Sequence, residues 1–391
     1  MKKVILSLIF IFLFSLSIFA ANSIVSVQVQ GNTCTKKFVI LNLMNYKKGM
    51  KVDIDKLAAA QTALESSGLF SNVYMSLKAT SNDNYVLVVS VEEKNHVSPL
   101  FDLEKGIGVE ESDLFGFGIK AKAFLRCFRF SPFELFLGGY SIGLSSRRAF
   151  GTPFSFELRH SELKKLPWTT PNSNFQYNLL RTTTGMGYML NENAGIMIRY
   201  VYEDISTPTT THFTVNALSL EIRVYPVQNE NNRNYTWWEL YVEHGMNNIN
   251  YTVGTANVEF YHRIIGQIYF RSRLYGVLNY GNVPFTRKIY FGDTYNLKGY
   301  DTREFGAPLM LLSTLRIGMP LTSTFGISKS PELTTYTPEL ISQLAFVKRD
   351  NFGLESFKPS IGLGLKINTP FGNFEPEIFY GKKLELYLEM K

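Results

Sequence analysis

Few residues in this sequence have the types and spacing that catalysis or cofactor binding requires. The five histidines form no His-Glu-x-x-His zinc motif, and neither a Gly-x-Ser-x-Gly elbow nor a P-loop is present. Gly106 and Gly108 have the spacing of a phosphate-binding turn, but an ordinary turn beside a strand fits better. His160, His244 and His262 lie within predicted strands, as lumen or membrane-interface side chains. The sequence therefore predicts a protein that is not an enzyme and uses no cofactor.

The composition excludes several further classes of protein. The chain has 391 residues, of which 45% are hydrophobic and only 19% charged. With a mean hydropathy of −0.04 it is neither disordered nor a helical membrane protein. Two cysteines, Cys34 and Cys127, exclude a disulfide scaffold and a zinc site built from cysteines, and we do not pair them. The net charge of +7 comes from scattered residues, so no nucleic-acid partner is expected.

The first residues have the pattern of an export signal. Met1-Lys2-Lys3 is cationic, Val4 to Phe19 is an unbroken apolar stretch, and Ala20-Ala21 supplies small residues for cleavage. We therefore predict a signal peptide over residues 1–21 rather than an uncleaved membrane anchor. No later stretch approaches the ~18 consecutive apolar residues of a membrane-spanning helix.

Residues 22–94 predict a small domain of one strand, two helices and two more strands. The first strand alternates from Ile24 to Val29 and stops at Gly31. The first helix begins near Phe38, the second is capped by Asp53 or Asp55, and Gly68 ends it. The last two strands cover 70–77 and 85–91. This order of elements indicates an α+β domain.

The same segment resembles a POTRA domain. The resemblance rests on Gly31-Asn32, Gly49, Leu64, the stretch Ser67-Gly68-Leu69-Phe70 with Val73, and the final strand Val86 to Glu92. Gly-Leu-Phe-x-x-Val is its most specific part. The alternative is an unrelated small ferredoxin-like module.

Residues 96–391 predict strands throughout. Leu218, Leu220, Ile222 and Val224 alternate with polar residues, and the same period recurs in segments such as 119–126, 361–367 and 384–390. Strands of ~9–11 residues, charged faces and a secretion signal favour a membrane barrel over a soluble sandwich. We therefore predict a mainly β protein, in which one α+β POTRA domain precedes a transmembrane antiparallel β-barrel of about 16 strands, with 12 or 14 strands as alternatives.

A long connection over about 282–306 interrupts the strands, and loops of this length are usually functional. Within it, Leu297-Lys298-Gly299-Tyr300 resembles the Val-Arg-Gly-Phe/Tyr loop motif of the BamA/TamA superfamily of outer-membrane assembly and translocation proteins. Met319-Pro320-Leu321 and Thr369-Pro370-Phe371-Gly372 resemble flanking motifs of that superfamily.

Charged residues depart from the superfamily pattern. Lys298 replaces the loop arginine, while Arg316 and Lys348 stand where carboxylates are usual. Glu375 stands where an arginine is common, and Glu377 occupies an acidic position. Because buried like charges repel, we predict a reversed lumen network in which the two glutamates neutralise Arg316 and Lys348, with separations below ~6 Å. The alternative is that these side chains are simply solvated lumen charges.

The resemblance implies an outer-membrane protein assembly or insertion factor in the bacterial cell outer membrane, with its POTRA domain in the periplasm. Clients would pair with a POTRA sheet edge and with the seam between the first and last barrel strands. Expected partners are unfolded outer-membrane or secreted client proteins and outer-membrane lipid, with periplasmic chaperones and accessory lipoproteins as further candidates. A dedicated two-partner secretion translocator and a passive porin are the alternatives. The chain ends Glu389-Met390-Lys391 rather than in the usual aromatic residue.

Overall fold

A computed structural model describes most of the chain beyond the predicted signal peptide, whose residues lie outside the described part. The described residues are 23–80, 84–102, 106–131, 134–171, 173–191, 193–207, 212–224, 234–246, 249–265, 267–292, 296–321, 335–348, 357–369 and 372–390. They form two compact units. The first comprises the described residues up to Leu100 with Gly108–Lys122 and Leu144–Phe154, and the second comprises the remainder.

The N-terminal domain has the predicted order of elements. The bounds are β1 Ile24–Gln30, α1 Lys37–Met44, α2 Ile54–Ser66, β2 Phe70–Ala79 and β3 Tyr85–Glu93. The strands form a sheet of order β1-β3-β2, parallel between β1 and β3 and antiparallel between β3 and β2. Asp53 begins α2 because its carboxylate accepts the backbone N–H groups of Asp55 and Lys56. Apolar residues from both helices and all three strands bury one core, which includes Ile24, Ile40, Leu64, Leu87 and Val89.

Two short 3₁₀ turns, Leu114–Gly116 and Ala149–Gly151, belong to the same unit and contact α1 and the residue before it. The Lys36 N–H donates to the Gly116 carbonyl at 2.9 Å, and the Asn42 amide donates to the Phe150 carbonyl at 3.0 Å. Thr35 Oγ1 also donates to the buried Asp113 carboxylate at 2.6 Å. Sequence patterns did not reveal this docking, because it depends on contacts between distant segments.

Gly116 is required at this docking point. Its φ is +77°, and a Cβ there would lie 2.1 Å from the Cys34 carbonyl oxygen. Gly116→Ala should therefore displace the turn and break the bond from the Lys36 N–H, so that hydrogen exchange of this amide in the full-length protein accelerates at least tenfold.

Gly68→Ala provides the matched control for that prediction. Gly68 also has a positive φ, +78°, but a Cβ there would meet nothing within 4 Å. Its substitution carries the same kind of backbone strain, about 1–2 kcal/mol, without the clash. Equal exchange rates at Lys36 in the two variants would contradict the proposed docking role of Gly116.

The remaining strands form one sixteen-stranded sheet in sequential order from β4 to β19, as predicted. Eleven strands precede Asn282 and five follow the long connection. Their bounds are β4 Val97–Asp102, β5 Gly106–Glu111, β6 Lys120–Ser131, β7 Glu134–Ser146, β8 Phe154–Thr170, β9 Ser173–Met189, β10 Ala194–Ser206, β11 His212–Val224, β12 Asn234–Met246, β13 Tyr251–Ile265, β14 Ile268–Gly281, β15 Leu309–Gly318, β16 Thr335–Lys348, β17 Phe357–Thr369, β18 Gly372–Tyr380 and β19 Leu384–Met390.

The two faces of this sheet differ in polarity, which confirms the predicted alternation. On β11, Leu218 and Leu220 are 46% and 41% exposed, whereas Ser219 and Glu221 between them are buried. The same contrast separates Leu386, 77% exposed, from Glu377, which is 1% exposed on the adjacent strand. Apolar side chains therefore cover the outer face and charged ones the inner face, the arrangement of a barrel in lipid. Among the described residues, no helix has the length and apolar character to cross a membrane.

Candidate functional site

The candidate site is the connection over residues 282–306, here called the long loop, together with the inward side chains it contacts. The Phe285 ring lies 4.7 Å from the Trp168 ring on β8, and the Arg303 guanidinium lies 4.2 Å from that same ring. At the other end of the sheet, the loop contacts Tyr387 on β19. The loop therefore occupies the inner side of the sheet and touches strands far apart in its order.

The Leu297-Lys298-Gly299-Tyr300 segment forms a turn whose side chains are buried. Leu297 is fully buried in an apolar cluster with Phe291, Met310 and Val347. The Gly299 N–H donates to the Tyr387 hydroxyl at 2.8 Å. Apolar contacts and hydrogen bonds thus hold this motif between β15, β16 and the last strand.

Gly299 also joins the turn to the hairpin between β18 and β19. Its carbonyl accepts the backbone N–H groups of Lys382 and Lys383 at 2.9 and 3.2 Å. The φ of Gly299 is +81°, and a Cβ there would lie 2.7 Å from the Gly381 nitrogen. Only glycine permits both this conformation and this approach of two backbones.

Beneath this turn lies a group of charges that we call the Glu377 cluster, formed by Lys298, Arg316, Glu339 and Glu377. Lys298 Nζ forms an ion pair with Glu377. Arg316 Nη1 lies 2.7 Å from Glu377 and 2.8 Å from Glu339. Glu377 and Lys298 are almost completely buried. Because two cations and two carboxylates meet here, the cluster balances its own charge, as a buried group must.

The ion pair of Lys298 differs in geometry from the one that an arginine at this position would form. A single ammonium cannot form the planar two-bond fork of a guanidinium, so its ion pair constrains the loop in fewer directions. The rings of Phe379 and Tyr387, with centroids 5.3 and 5.2 Å from Nζ, compensate through cation–π attraction.

The prediction that Lys348 belongs to this network needs correction. Lys348 pairs with Leu309 in the β15–β16 register, whereas Arg316 pairs with Ile341. Ile341 and Val347 are buried on the inner face, so the even-numbered Lys348 falls on the other face, where it is exposed. Glu339 supplies the second carboxylate of the cluster, and it was not predicted. Strand alternation could have indicated it, because residues two apart share a face and Glu339 lies two residues before the inward-facing Ile341.

Glu375 lies on the inner face of β18, two residues before Glu377, and is buried. It stands opposite Glu389 in the β18–β19 register. The structure therefore brings Lys298, Arg316 and Glu377 together, and it places Glu375 on the same face.

A second group of charges, here called the Arg287 cluster, was not predicted. Arg287 is in the long loop; Nη1 lies 3.0 Å from Glu203 on β10, and Nε lies 2.7 Å from Glu243 on β12. Glu203 also pairs with Arg181 at 2.6 Å, and Glu243 accepts the Tyr251 hydroxyl at 2.8 Å. Both carboxylates are almost fully buried, so one loop guanidinium bridges two inner-face charges. No sequence motif indicated Arg287, because the strands that its side chain contacts depend on the path of the loop.

An exposed ion-pair group ties the loop to the β18–β19 hairpin. Lys382 Nζ and Lys383 Nζ lie 2.8 and 2.9 Å from the Asp301 carboxylate. Hydrogen bonds from Lys382 and Lys383 lower the pKa of Asp301 to about 2. Lys382 also contacts Glu304 at 3.3 Å, and its pKa is raised by hydrogen bonds to Asp301 and Glu304.

This exposed group should weaken at low pH and in high salt. The folded pKa of Asp301, about 2, lies below the ordinary value of 3.8. Its stabilisation is therefore fully present above that ordinary value and is lost as the pH falls through about 2. At neutral pH and low salt, Asp301→Asn should speed protease cleavage of the long loop by about threefold, the size expected for an exposed ion pair.

The wild-type protein is the control at acidic pH. Near pH 2 an acid-active protease should cleave the loops of the wild-type and Asp301→Asn proteins at rates that differ much less than at neutral pH, because about half of the Asp301 carboxyls are then protonated even in the folded protein. An unchanged ratio of the two rates from neutral pH to pH 2 would contradict this assignment.

Comparison with known proteins supports the architecture built from these residues. Residues 23–94 match the POTRA family, described as "Surface antigen variable number repeat". No curated protein matches the sequence.

Solved structures share the fold of most of the chain. BamA from Haemophilus ducreyi lacking POTRA domains 1–3 aligns with a TM-score of 0.61 at 12% identity, covering 94% of this chain and 83% of that one. CdiB from Acinetobacter baumannii aligns with a TM-score of 0.67 at 10% identity, covering 95% and 74%. CdiB from Escherichia coli aligns with a TM-score of 0.66 at 8% identity, covering 95% and 76%. The predicted resemblance to the BamA superfamily, with one POTRA domain, is confirmed at the level of the fold.

Proposed function

We propose that this protein inserts or translocates client proteins at the bacterial outer membrane, with its POTRA domain in the periplasm. The observation that carries the proposal is the combination of a POTRA domain with a sixteen-stranded sheet whose end strands are short. Such a machine needs no nucleotide, because folding of the client supplies the free energy.

The POTRA domain offers a sheet edge to an extended client. In the order β1-β3-β2, the outer strands are β1 and β2. The start of β1 already bonds to the 49–51 segment, since Ile24 N–H donates to the Met50 carbonyl at 2.9 Å. The ten-residue β2 is therefore the better edge for an added client strand, held by backbone hydrogen bonds.

The first and last strands of the large sheet have features that would let a seam between them open. β4 has six residues and contains Pro99, and β19 has seven, whereas β6 to β17 have ten to seventeen. A short strand with a proline contributes few ladder hydrogen bonds, so a seam between β4 and β19 would cost less to open than the pairings among β6 to β17. An open edge in lipid must be paired, and a client strand can provide that pairing.

The long loop argues against a passive porin. Phe285, Arg287 and Lys298 contact inner-face residues on strands from β8 to β18. A sixteen-stranded barrel conducts freely only when its lumen is open, and here loop side chains contact its inner face on several strands. This supports a role in which the loop organises the barrel interior rather than one in which solutes diffuse through it.

The decisive experiment is depletion of the protein in its native host, followed by proteomics of the outer membrane and the medium. If the protein is an insertion factor, its depletion should lower the levels of several outer-membrane barrel proteins at least severalfold. Loss of one secreted protein, with outer-membrane barrels unchanged, would instead favour a dedicated two-partner translocator.

Deletion of residues 22–94, with the signal segment retained, separates these roles from a porin. A porin should still conduct and leave both proteomes unchanged, whereas an insertion or translocation factor should lose client handling. Normal client levels in the deletion strain would overturn the proposal.

A further inference from the structure

Three side chains of the first unit converge: Glu93 and His96, which are neighbours in the sequence, and Cys34, which precedes them by about 60 residues. One sulfur, oxygen or nitrogen atom from each lies within 4.8 Å of the other two. We propose that these residues bind a zinc ion. Sequence spacing excluded a zinc site built from cysteines, but the fold combines one thiol with an imidazole and a carboxylate.

Glu93 is held in place for this role. Its Oε2 accepts the Cys34 N–H at 2.9 Å, and its Oε1 accepts the Thr35 N–H at 2.7 Å. The Thr33 hydroxyl also donates to it. The Thr33 N–H also donates to Oε2, at 3.1 Å, so Oε2 accepts three hydrogen bonds. These bonds orient the carboxylate beside Cys34 and leave Oε1, which accepts the Thr35 N–H, as the oxygen with a lone pair for an ion.

His96 presents a nitrogen that needs a partner. Its Nδ1 lies 3.3 Å from the Ser112 hydroxyl, and the Ser112 N–H donates to the His96 carbonyl at 2.8 Å. Its Nε2 is shielded from solvent and has no hydrogen-bond partner among the described residues. A metal-binding histidine usually has this arrangement, with one nitrogen fixed by an outer hydrogen bond and the other on the ion. A buried nitrogen without a partner is costly, and a bound ion would satisfy it.

Cys34 completes a donor set that selects zinc. Its thiol is free and exposed. Thiolate, imidazole and carboxylate together suit Zn²⁺ rather than Ca²⁺ or Mg²⁺, which prefer oxygen ligands. On binding, the thiol releases its proton to solvent, and the thiolate and carboxylate then neutralise the two charges of the ion.

The geometry accommodates a tetrahedral ion with one open position. Zinc ligands at about 2.0–2.3 Å from the metal lie roughly 3.3–3.8 Å from each other. The present separations of up to 4.8 Å therefore need to shorten by about 1 Å, within the freedom of the exposed Cys34 side chain. The three residues line a cavity of about 910 Å³, which leaves room for a water or another ligand in the fourth position.

A bound ion would also have a structural consequence. Cys34 lies in the segment between β1 and α1, Glu93 ends β3, and His96 directly precedes β4. The ion would therefore fasten the POTRA domain to the residue before the first strand of the large sheet. This inference does not depend on the identity of the client.

The test uses the full-length protein in detergent, kept reduced, with Co²⁺ alone as the spectroscopic probe and Zn²⁺ alone for affinity. We expect one ion per chain and a thiolate-to-cobalt charge-transfer band. Cys34→Ser should abolish the band, and Cys127→Ser, the matched control, should retain it. His96→Gln should weaken Zn²⁺ binding at least tenfold.

Alkylation of the Cys34 thiol provides a second readout, in a protein whose three proposed zinc ligands are all unchanged. In the Cys127→Ser protein, Zn²⁺ should slow maleimide labelling of Cys34 at least tenfold, and a chelator should restore the rate. The proposal is overturned if the wild-type protein gives no thiolate band, if Zn²⁺ does not protect Cys34, or if His96→Gln binds Zn²⁺ as tightly as the wild type.

Discussion

Glu377→Gln should loosen the long loop more than any other single isosteric change on β18. The substitution preserves the size of a side chain that is 1% exposed but removes the charge that pairs with both Lys298 and Arg316. Two cations then share the buried Glu377 cluster with Glu339 alone. Removing one partner of a buried ion pair costs about 3–5 kcal/mol. We expect a lower barrel unfolding temperature and faster protease cleavage within the loop.

Glu162→Gln is the matched control for the Glu377 prediction. Glu162 pairs with Lys164 at 3.2 Å, but the two side chains are 39% and 61% exposed. An exposed pair of this kind is worth about 0–1 kcal/mol. Adding Lys298→Met to Glu377→Gln should restore part of the loss, because one of the two cations that lost the Glu377 charge is then removed. Equal effects of Glu377→Gln and Glu162→Gln would contradict the role of the cluster.

Arg287→Met should release the other end of the loop. In the described residues, Arg287 is the guanidinium that bridges Glu203 and Glu243, whose side chains are 0% and 1% exposed. Without it Glu203 retains its ion pair with Arg181, whereas Glu243 retains, among the described residues, only the neutral hydroxyl donors of Tyr241 and Tyr251. We expect a loss of about 3–5 kcal/mol and, as the loop leaves the lumen, a several-fold rise in conductance across planar bilayers.

The neighbouring lysine provides a strict comparison. Lys288 is the next residue of the same loop, and among the described residues its ammonium contacts the Tyr290 ring, 5.5 Å from the centroid, and no carboxylate. Lys288→Met removes a charge of the same sign and should cost less than about 1 kcal/mol. If both variants leave conductance at the wild-type level, Arg287 does not hold the loop in the lumen.

The candidate site was only partly accessible from the sequence. The resemblance of Leu297-Lys298-Gly299-Tyr300 to a loop motif located the turn. The predicted network placed Glu377 with Arg316, but the ion pair between Glu377 and Lys298 was not predicted. Glu339 and Arg287 were missed, and Lys348 was assigned to the wrong face. Each of these depends on strand register or on the path of a loop, and a single residue of register changes the face on which a side chain lies.

The sequence by itself determined the order of elements in the POTRA domain, the sixteen strands and the outward direction of their apolar residues. These follow from local signals, since a period of two, turn residues and helix caps act over a few positions. Only the tertiary structure decided which charges meet. Lys298 and Glu377 are separated by 79 residues, and Cys34 and His96 by about 60. Such contacts arise when register and loop path bring distant segments together, and no local pattern encodes that outcome.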